Sequence, residues 1–147
     1  MTFLSVNRRA YYDYQILQEF EAGIALLGFE VKAIKTGRIN LSGSYVVFKD
    51  DEPWLLNATI PPYQEANTPK NYDPQRSRRL LLHKSEIKDL RGKLTQKGLT
   101  ILPLKVYNKK RKVKLLIGLA RNKREYDKRE IIKKREDERM INRAMRT

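Results

Sequence analysis

The sequence contains no cysteine among its 147 residues, which excludes disulfides and thiolate metal sites. It contains one histidine, His83, and without a second histidine a metal site there is not expected. Asp50, Asp51 and Glu52 are adjacent carboxylates, but they fall in an expected turn and lack the pattern of a two-metal or acid/base site. No phosphate-binding loop, nucleophile elbow or dinucleotide fingerprint is present. The sequence therefore gives no positive support for an enzyme, and we predict no cofactor.

Long apolar runs are also missing. No stretch approaches the ~20 apolar residues that span a bilayer, and the C-terminal segment lacks the apolar face of a helix that lies on a membrane. The first residues do not combine a basic region with a long apolar run, as a signal peptide would. We expect a cytoplasmic protein that does not bind a membrane.

Positive charge, in contrast, is abundant. Lys and Arg number 32 against 17 Asp and Glu, which gives a net charge of +15. Five of the six residues from Lys109 to Lys114 are basic, and residues 121–147 contain 11 basic and 6 acidic side chains. A field of this sign attracts phosphates. A nucleic acid is therefore the expected partner, and a basic protein with no nucleic-acid role is the weaker alternative.

The hydrophobic pattern predicts a mostly β body. Apolar and polar residues alternate from Tyr11 to Leu27, as in a long half-buried strand, with a bend expected near Gln18 and Gly23. The stretch 78–84 is ambiguous between strand and helix. The other patterns predict a short helix at 30–36, a hairpin from 44–48 and 54–60, a proline-rich loop at 61–78, a helix from near Lys84 or Ser85 to Gly98, and a hairpin from 99–107 and 113–119.

This order of elements predicts a mainly β fold with short flanking helices. We expect a small closed antiparallel barrel of the oligonucleotide/oligosaccharide-binding (OB) type over residues 1–120, with residues 1–10 as an arm that leads into the first strand. Residues 121–147 form a basic C-terminal tail. Acid–base pairs at i,i+4 spacing favour a helix there, but an isolated helix of this length is marginal in water. We expect the tail to be disordered when free and helical when bound.

Several side chains suit contact with RNA. The cluster Lys109–Lys114 lies at an expected hairpin tip, where a phosphate backbone relieves the repulsion between adjacent cations; an ordinary solvated turn is the alternative. Arg76, Arg78 and Arg79 can bind phosphate or stack on a base, or can instead extend from a core strand to solvent. Tyr126 lies among charges with no core to join, which suits stacking on a base.

Short blocks along nearly the whole chain, from about Asn7 onward, also resemble a known family. They are Phe20-Glu-Ala-Gly-Ile24, Glu30-Val-Lys32, Arg78-Arg-Leu-Leu-Leu-His-Lys84 with Glu86-Ile87, Lys97-Gly-Leu-Thr100, Pro103-Leu104 and Tyr126-Asp-Lys-Arg129. In this order and spacing they resemble the small protein B family, the tmRNA-binding (SsrA-binding) proteins of bacterial trans-translation.

The resemblance implies a barrel that binds the tRNA-like domain of tmRNA and a protein that is not itself an enzyme. It implies entry into a stalled ribosome, with elongation factor Tu delivering the alanylated RNA and with the tail in the empty mRNA path, chiefly against small-subunit ribosomal RNA. The family's RNA-facing positions match Asn7, Glu21 and Leu81. Its tail motif matches Tyr126-Asp-Lys-Arg129.

Two sets of candidate residues follow from the charge pattern and the resemblance. The set expected to bind tmRNA is Asn7, Arg8, Glu21, Lys32, Arg38, Arg78, Arg79, Leu81, Lys109, Lys110 and Arg111. The set expected to bind the ribosome and its decoding centre is Lys123, Arg124, Tyr126, Asp127, Lys128, Arg129, Lys133, Lys134 and Arg135.

Two other functions remain open from the sequence. A ribosomal or general structured-RNA-binding protein of similar barrel fold would show no selectivity for the tRNA-like domain. An RNA-processing enzyme would depend on His83 or on a carboxylate pair for turnover.

Overall fold

The structure, a computed structural model, describes residues 2–123 together with residues 133, 135–137, 139 and 140. Residues 2–123 form seven strands and three α-helices, in the order β1 (Thr2–Val6), α1 (Arg8–Asp13), β2 (Tyr14–Ile24), α2 (Gly28–Lys35), β3 (Tyr45–Lys49), β4 (Glu52–Leu56), β5 (Arg78–Leu81), α3 (Lys84–Lys93), β6 (Leu99–Lys109) and β7 (Lys112–Asn122). The prediction of a mainly β chain with short helices is confirmed.

The strands form one antiparallel sheet whose hydrogen bonding runs in a ring. The order around the ring is β6, β3, β4, β5, β2 and β7, and β7 pairs again with β6. β1 lies beside this ring and pairs with β6. The β3–β6 junction is short, with Val46 opposite Ile101, whereas β7 pairs with β2 and β6 along nearly its whole length. The β2–β7–β6 ribbon is therefore the most extensively paired part of the ring.

Buried side chains pack on both faces of β6. Ile101 and Ile117 belong to the larger cluster, inside the ring. Leu102 belongs to a smaller cluster in which Ala10 of α1 packs against the other face. Because adjacent residues of a strand point to opposite faces, both faces of β6 are covered here. This explains why Ile101–Leu104 reads as a continuous apolar run rather than an alternating one.

Close packing beneath α1 depends on Gly118 of β7. A Cβ added there would lie 2.7 Å from Cδ1 of Leu104 and 3.1 Å from Cγ2 of Ile16. These distances are shorter than normal carbon contacts, which are near 3.5 Å or longer. Gly118 is therefore required for space, not for an unusual backbone conformation.

The N-terminal segment differs from the expected arm. Residues 2–6 form β1, and Arg8–Asp13 form α1, so β2 begins at Tyr14, later than expected. Asn7 caps α1: its Oδ1 accepts a hydrogen bond from the Ala10 N–H at 3.3 Å, and its Nδ2 donates to the Pro103 carbonyl at 2.8 Å. A six-residue helix is too short to show its own hydrophobic period, so its alternating residues imitate a strand.

The later elements follow the expected order. The ambiguous stretch is a strand, β5, at Arg78–Leu81, and α3 ends at Lys93, earlier than the expected stop at Gly98. The bend expected near Gln18 is a bulge, in which Leu17 is the extra residue between two pairs with β7. β7 continues to Asn122, into the range that the sequence assigned to the tail.

Both tight hairpins turn through two residues with positive φ. Asp50 and Asp51 have φ of 52° and 63°, and Lys110 and Arg111 have φ of 50° and 67°. Two-residue hairpins require this geometry at both central positions and favour Asn and Gly there. The β6–β7 turn has two cations, Lys110 and Arg111, in these positions instead. Backbone preference therefore does not account for the residues found there.

A buried carboxylate, Glu30, joins α2 to the long loop before β5. The side chains of Glu30 and Arg78 are both fully buried. Arg78 donates to Oε2 of Glu30 from Nε at 3.1 Å and from Nη2 at 2.6 Å. Arg76 donates to both carboxylate oxygens, and the Tyr72 hydroxyl donates to Oε2 at 2.9 Å. The Glu30 carboxylate thereby holds Tyr72, Arg76 and Arg78, which lie more than 40 residues away in sequence, against α2.

The remaining donors of Arg78 bind main-chain oxygens of the same region. Its Nη1 donates to the Ala58 carbonyl at 2.6 Å, and its Nη2 lies 3.0 Å from the Pro74 carbonyl. A guanidinium with these partners and no exposed surface cannot also reach an RNA. The expected RNA contact by Arg78 is therefore corrected: Arg78 holds the loop against the body.

Two pKa values reflect this network. Burial by itself would raise the pKa of Glu30, but hydrogen bonds from Arg76, from the Leu27 N–H and from Arg78 outweigh it and lower that pKa to about 2. Burial and the adjacent Glu30 raise the pKa of Tyr72 to about 12. Glu30 is therefore ionised, and Tyr72 protonated, throughout the neutral range.

The substitution Glu30→Gln should destabilise the fold by about 3–5 kcal/mol, because it leaves Arg78 charged and buried without its partner. The measurement is urea unfolding at pH 7. The matched control is Glu52→Gln, which removes the same charge from an exposed pair with Arg79 and should cost below about 1 kcal/mol. Equal losses in the two variants would contradict the structural role of Glu30.

The contribution of Glu30 to stability should depend on pH. Its pKa is about 2 in the folded chain and about 4.3 when unfolded. A lowered folded-state pKa means that the stabilisation is fully present above the unfolded value and is lost as pH falls towards 2, by about 3 kcal/mol in all. The free energies of unfolding of the wild-type chain and of Glu30→Gln, measured with urea, should therefore converge as the pH falls from about 5 to about 2. A constant difference across that range would refute the assignment.

Candidate nucleic-acid interface

One row of paired residues crosses five strands of the sheet. Phe3 of β1 is opposite Tyr107 of β6, Tyr107 is opposite Lys114 of β7, Lys114 is opposite Gly23 of β2, and Gly23 is opposite Leu81 of β5. Directly opposed residues of an antiparallel sheet project to the same face. We call these five residues the exposed row, after its exposed ends Phe3 and Leu81; Tyr107 within the row is buried.

The exposed row lies on the outside of the ring. The residues next to the row on β6, β7 and β2 are Val106, Leu115 and Ala22. They also pair with one another across the strands, and all three belong to the inner core. Since adjacent residues face opposite ways, the row faces outward. Its two ends are large apolar side chains in solvent, Phe3 at 56% exposure and Leu81 at 51%.

Glu21 lies beside the row, on the same face of β2 as Gly23. The Tyr107 hydroxyl donates to Oε2 of Glu21 at 2.6 Å, and Nζ of Lys109 lies 3.3 Å from both carboxylate oxygens. The hydrogen bond from Tyr107, with help from Lys109, lowers the pKa of Glu21, while burial and Glu21 raise the pKa of Tyr107. Glu21 is thus an ionised, partly exposed acceptor whose position is fixed from one side.

Leu81 lies over Gly23. A Cβ at position 23 would be 3.2 Å from Cβ of Leu81, so a larger residue there would displace the leucine. About half of the Leu81 surface is exposed to solvent. Leu81 pairs with Gly23 of β2, two residues from Glu21 on the same strand. The structure thereby brings together two of the three residues that the family resemblance singled out.

The third of these residues, Asn7, has a different environment. It is buried at 5% exposure, and its side chain is used for the cap of α1 and for the Pro103 carbonyl. Its position therefore supports the local fold of α1, which carries the exposed Arg8. Arg8 also lines a cavity of about 440 Å³, together with Tyr11, Tyr12, Lys123 and Arg135.

The other cations are spread over the body. Lys110 and Arg111 are exposed at the β6–β7 turn and follow Lys109 in sequence; Lys109, Tyr107 and Glu21 together form what we call the Glu21 cluster. Arg79 is half exposed and pairs with Glu52 at 3.1 Å. Lys32 is exposed on α2, and Arg38, which follows this helix, donates to the Tyr63 carbonyl at 3.4 Å. Among the described residues, only Lys109 of the predicted cations is bonded to Glu21.

The predicted tail residues are covered in part. The main-chain N–H of Lys123 donates to the Asp13 carbonyl at 2.9 Å and its Nζ donates to the Tyr11 carbonyl at 3.0 Å, so Lys123 is attached to the body. Lys133 and Arg135 are helical and exposed. The predictions for Arg124, Tyr126, Asp127, Lys128, Arg129 and Lys134 fall outside the described residues.

Sequence reasoning missed three residues of this face. The sequence pattern places Phe3 in the expected N-terminal arm and predicts only a strand for Lys105 and Tyr107. The pattern of β6 contained a signal, because polar Lys105 and amphipathic Tyr107 interrupt an apolar strand at alternate positions. That signal places both residues on one face, but it does not identify their partners.

The described residues contain no group of three or more His, Cys, Asp or Glu side chains placed to hold a metal ion. None of the helices in the described part of the chain has the length and apolar character needed to cross a membrane.

Comparisons with known proteins agree with the sequence resemblance. The SmpB protein family matches residues 4–147. The SsrA-binding protein of Trichodesmium erythraeum is 50% identical over 97% of this chain and 92% of its own length. The SsrA-binding protein of Thermosynechococcus vestitus is 48% identical over 97% of this chain and 94% of its own length.

A solved structure described as "tmRNA-SmpB: a journey to the center of the bacterial ribosome" is also similar. It superposes with a TM-score of 0.69 at 48% sequence identity and covers 87% of this chain and 93% of the matched chain. Sequence and fold therefore agree over nearly the whole length, and the chain belongs to the SmpB protein family.

Proposed function

We propose that the chain binds the tRNA-like domain of SsrA RNA (tmRNA) and brings it to stalled ribosomes for rescue and peptide tagging. The observation that carries this proposal is the outer face of the sheet, where Glu21 is held by Tyr107 and Lys109 beside exposed Leu81. The relatives named SsrA-binding proteins, and the solved structure described as tmRNA-SmpB, support the same RNA partner.

The ring of strand pairs supports a closed barrel of the OB type as the RNA-binding body. Six strands pair edge to edge in sequence around the ring, and β7 pairs back with β6. OB barrels bind oligonucleotides on an outer strand face and its adjoining loops. The exposed row, Glu21 and the β6–β7 turn occupy such a face in this chain.

Each part of this face has a distinct chemistry for RNA. An ionised carboxylate only accepts hydrogen bonds, so Glu21 selects donor groups of bases or riboses and disfavours phosphate. Leu81 offers apolar contact to a base or sugar. Lys110 and Arg111, at the tip of the β6–β7 turn, bind phosphates, with Arg able to do so through two parallel hydrogen bonds.

The tail beyond Lys123, residues 124–147, is proposed to bind the ribosome, chiefly small-subunit ribosomal RNA in the empty mRNA path. The exposed cations Lys133 and Arg135 on helical residues support this role. Elongation factor Tu is the proposed partner during delivery of the alanylated RNA. The protein itself acts in the cytoplasm, as a structural stand-in for an anticodon arm and not as an enzyme.

Binding to the tRNA-like domain of tmRNA should exceed binding to an elongator tRNA, and the preference should persist at physiological salt. Counterion release weakens all phosphate contacts as salt rises, whereas the fixed donors and acceptors of the outer face retain their selectivity. A titration of both RNAs at low and physiological salt measures this. Equal affinities that fall together would favour a general RNA-binding protein.

In the same titration, Glu21→Gln should reduce the preference for the tRNA-like domain over the elongator tRNA by about ten-fold, as expected for loss of one charge-assisted hydrogen bond. Glu19→Gln is the matched control, because it makes the same charge change two residues away on the same face of β2. An equal effect of both substitutions would indicate that only net charge is sensed.

Removal of residues 124–147 should leave affinity for the tRNA-like domain largely intact and should abolish tagging of stalled peptides. The truncation begins after Lys123, because β7 ends at Asn122 and Lys123 is bonded to α1. The measurements are RNA titration and a tagging assay with ribosomes stalled on an mRNA without downstream codons. Leu81→Asp should differ from the truncation by losing affinity for the tRNA-like domain itself, and tagging should be lost with it. Collapse of RNA affinity in the truncated chain would contradict this division of roles.

A further inference from the structure

Phe3 is the most exposed aromatic side chain among the large hydrophobic residues of the described chain, at 56%. It lies at the β1 end of the exposed row, opposite Tyr107. A phenylalanine ring in solvent carries a free-energy penalty that a partner can remove. Its setting shows which partner would fit.

The ring of Phe3 is held in place by two neighbours. Phe3 and Tyr107 make an edge-to-face aromatic contact, with ring centroids 6.1 Å apart and ring planes at 77°. Nζ of Lys105 lies 5.0 Å from the Phe3 ring centre and 5.6 Å from that of Tyr11. Both contacts are of a type that stabilises aromatic rings in fixed orientations. The exposed ring is therefore preorganised.

Phe3 is also linked to the Glu21 cluster. The Tyr107 side chain on which it packs is nearly fully buried, at 3% exposure, and donates its hydroxyl hydrogen to Glu21. Phe3 is therefore the exposed aromatic surface of a unit that already contains the RNA-facing carboxylate. Lys105, Lys109 and Lys114 lie on the same face of β6 and β7.

We propose that Phe3 is a base-stacking residue: an unpaired nucleobase of the bound RNA stacks on its exposed ring, while Lys105 and Lys114 attract the adjoining phosphates. This inference rests on the proposed function and extends the RNA-binding face from Leu81 across to β1. The SmpB family match begins at residue 4, so Phe3 lies outside it.

An RNA base fits this site better than an apolar protein surface. A protein interface needs a contiguous apolar core, but the Phe3 ring lies against Lys105, and it is separated from exposed Leu81 by Lys114, Gly23 and the buried Tyr107. Aromatic rings interleaved with cations are typical of single-stranded RNA binding, because every base has a face that can stack.

The test is the affinity of Phe3 variants for the tRNA-like domain of tmRNA at physiological salt. Phe3→Ala should weaken binding by about 5- to 150-fold, the range typical for loss of one stacked base. Phe3→Leu keeps apolar area without an aromatic face and should also weaken binding. Phe3→Trp should retain or improve it.

Tyr45→Ala is the matched control. Tyr45 is also an exposed aromatic residue, at 37%, but its neighbour Val46 pairs with β6 at Ile101, six residues from Tyr107 and so roughly 20 Å along the strand. This substitution should leave affinity unchanged. Unfolding midpoints of all variants show whether β1 stays in place, and Phe3→Leu carries the test if Phe3→Ala does not fold.

Fluorescence gives an independent readout. Trp54 is the single tryptophan of the chain, so Phe3→Trp combined with Trp54→Phe places the only tryptophan at position 3. Stacking of a base on that ring should quench its emission when the RNA is added. Unchanged emission at saturating RNA would count against stacking.

The outcomes separate this inference from the proposed function. A wild-type chain that binds the tRNA-like domain and an elongator tRNA equally would overturn the proposed function. Wild-type affinity in Phe3→Ala for both RNAs would overturn the base-stacking role even if selectivity is present. Wild-type affinity in Phe3→Leu combined with weakened Phe3→Ala would also overturn it, because apolar contact would then suffice.

Discussion

The structure depends on β6, the strand that pairs with three others. Its pairing with β3 and β7 closes the ring, and its pairing with β1 adds a further strand outside it. Because the inner core lies on one face and α1 covers part of the other, β6 is apolar along Ile101–Leu104 and carries its charged residues after that stretch. Lys105, Tyr107 and Lys109 occupy alternate positions of that remaining part. The packing of the fold thus determines where on the sheet a binding face can be built.

Two carboxylates show how burial separates structure from recognition. Glu30 and Glu21 each accept hydrogen bonds from a tyrosine hydroxyl and from cationic side chains. Glu30 is fully buried, so its partners satisfy it completely and it serves the fold. Glu21 keeps about a third of its side chain exposed, so its Tyr107 and Lys109 partners orient it while some of its acceptor capacity remains for a ligand.

The sequence predicted the strands with clear alternation and the location of the β6–β7 turn, because those signals are local. It could not decide the role of Arg78, since an arginine beside an apolar run looks the same whether it extends to solvent or is buried. The decisive partner, Glu30, is 48 residues away in sequence. β1 was missed for the same reason: its strand character comes from pairing with the far end of the chain, and with it the exposed position of Phe3 was missed. Glu21 and Leu81 entered through family resemblance, and only the strand register showed that they share a face.

A chain with a net charge of +15 attracts any RNA, so its selectivity has to come from groups other than its cations. Counterion release rewards every phosphate contact equally. A fixed carboxylate does the reverse, because it repels phosphates and favours only an RNA that places donor groups opposite it. The same holds for an exposed leucine and an exposed aromatic ring, which gain nothing from a helical phosphate surface but gain from an unpaired base or an exposed sugar face. Under the proposed function, the acidic and apolar members of the outer face are therefore the residues that would distinguish one folded RNA from another, and the lysines and arginines around them would set how strongly RNA in general is bound.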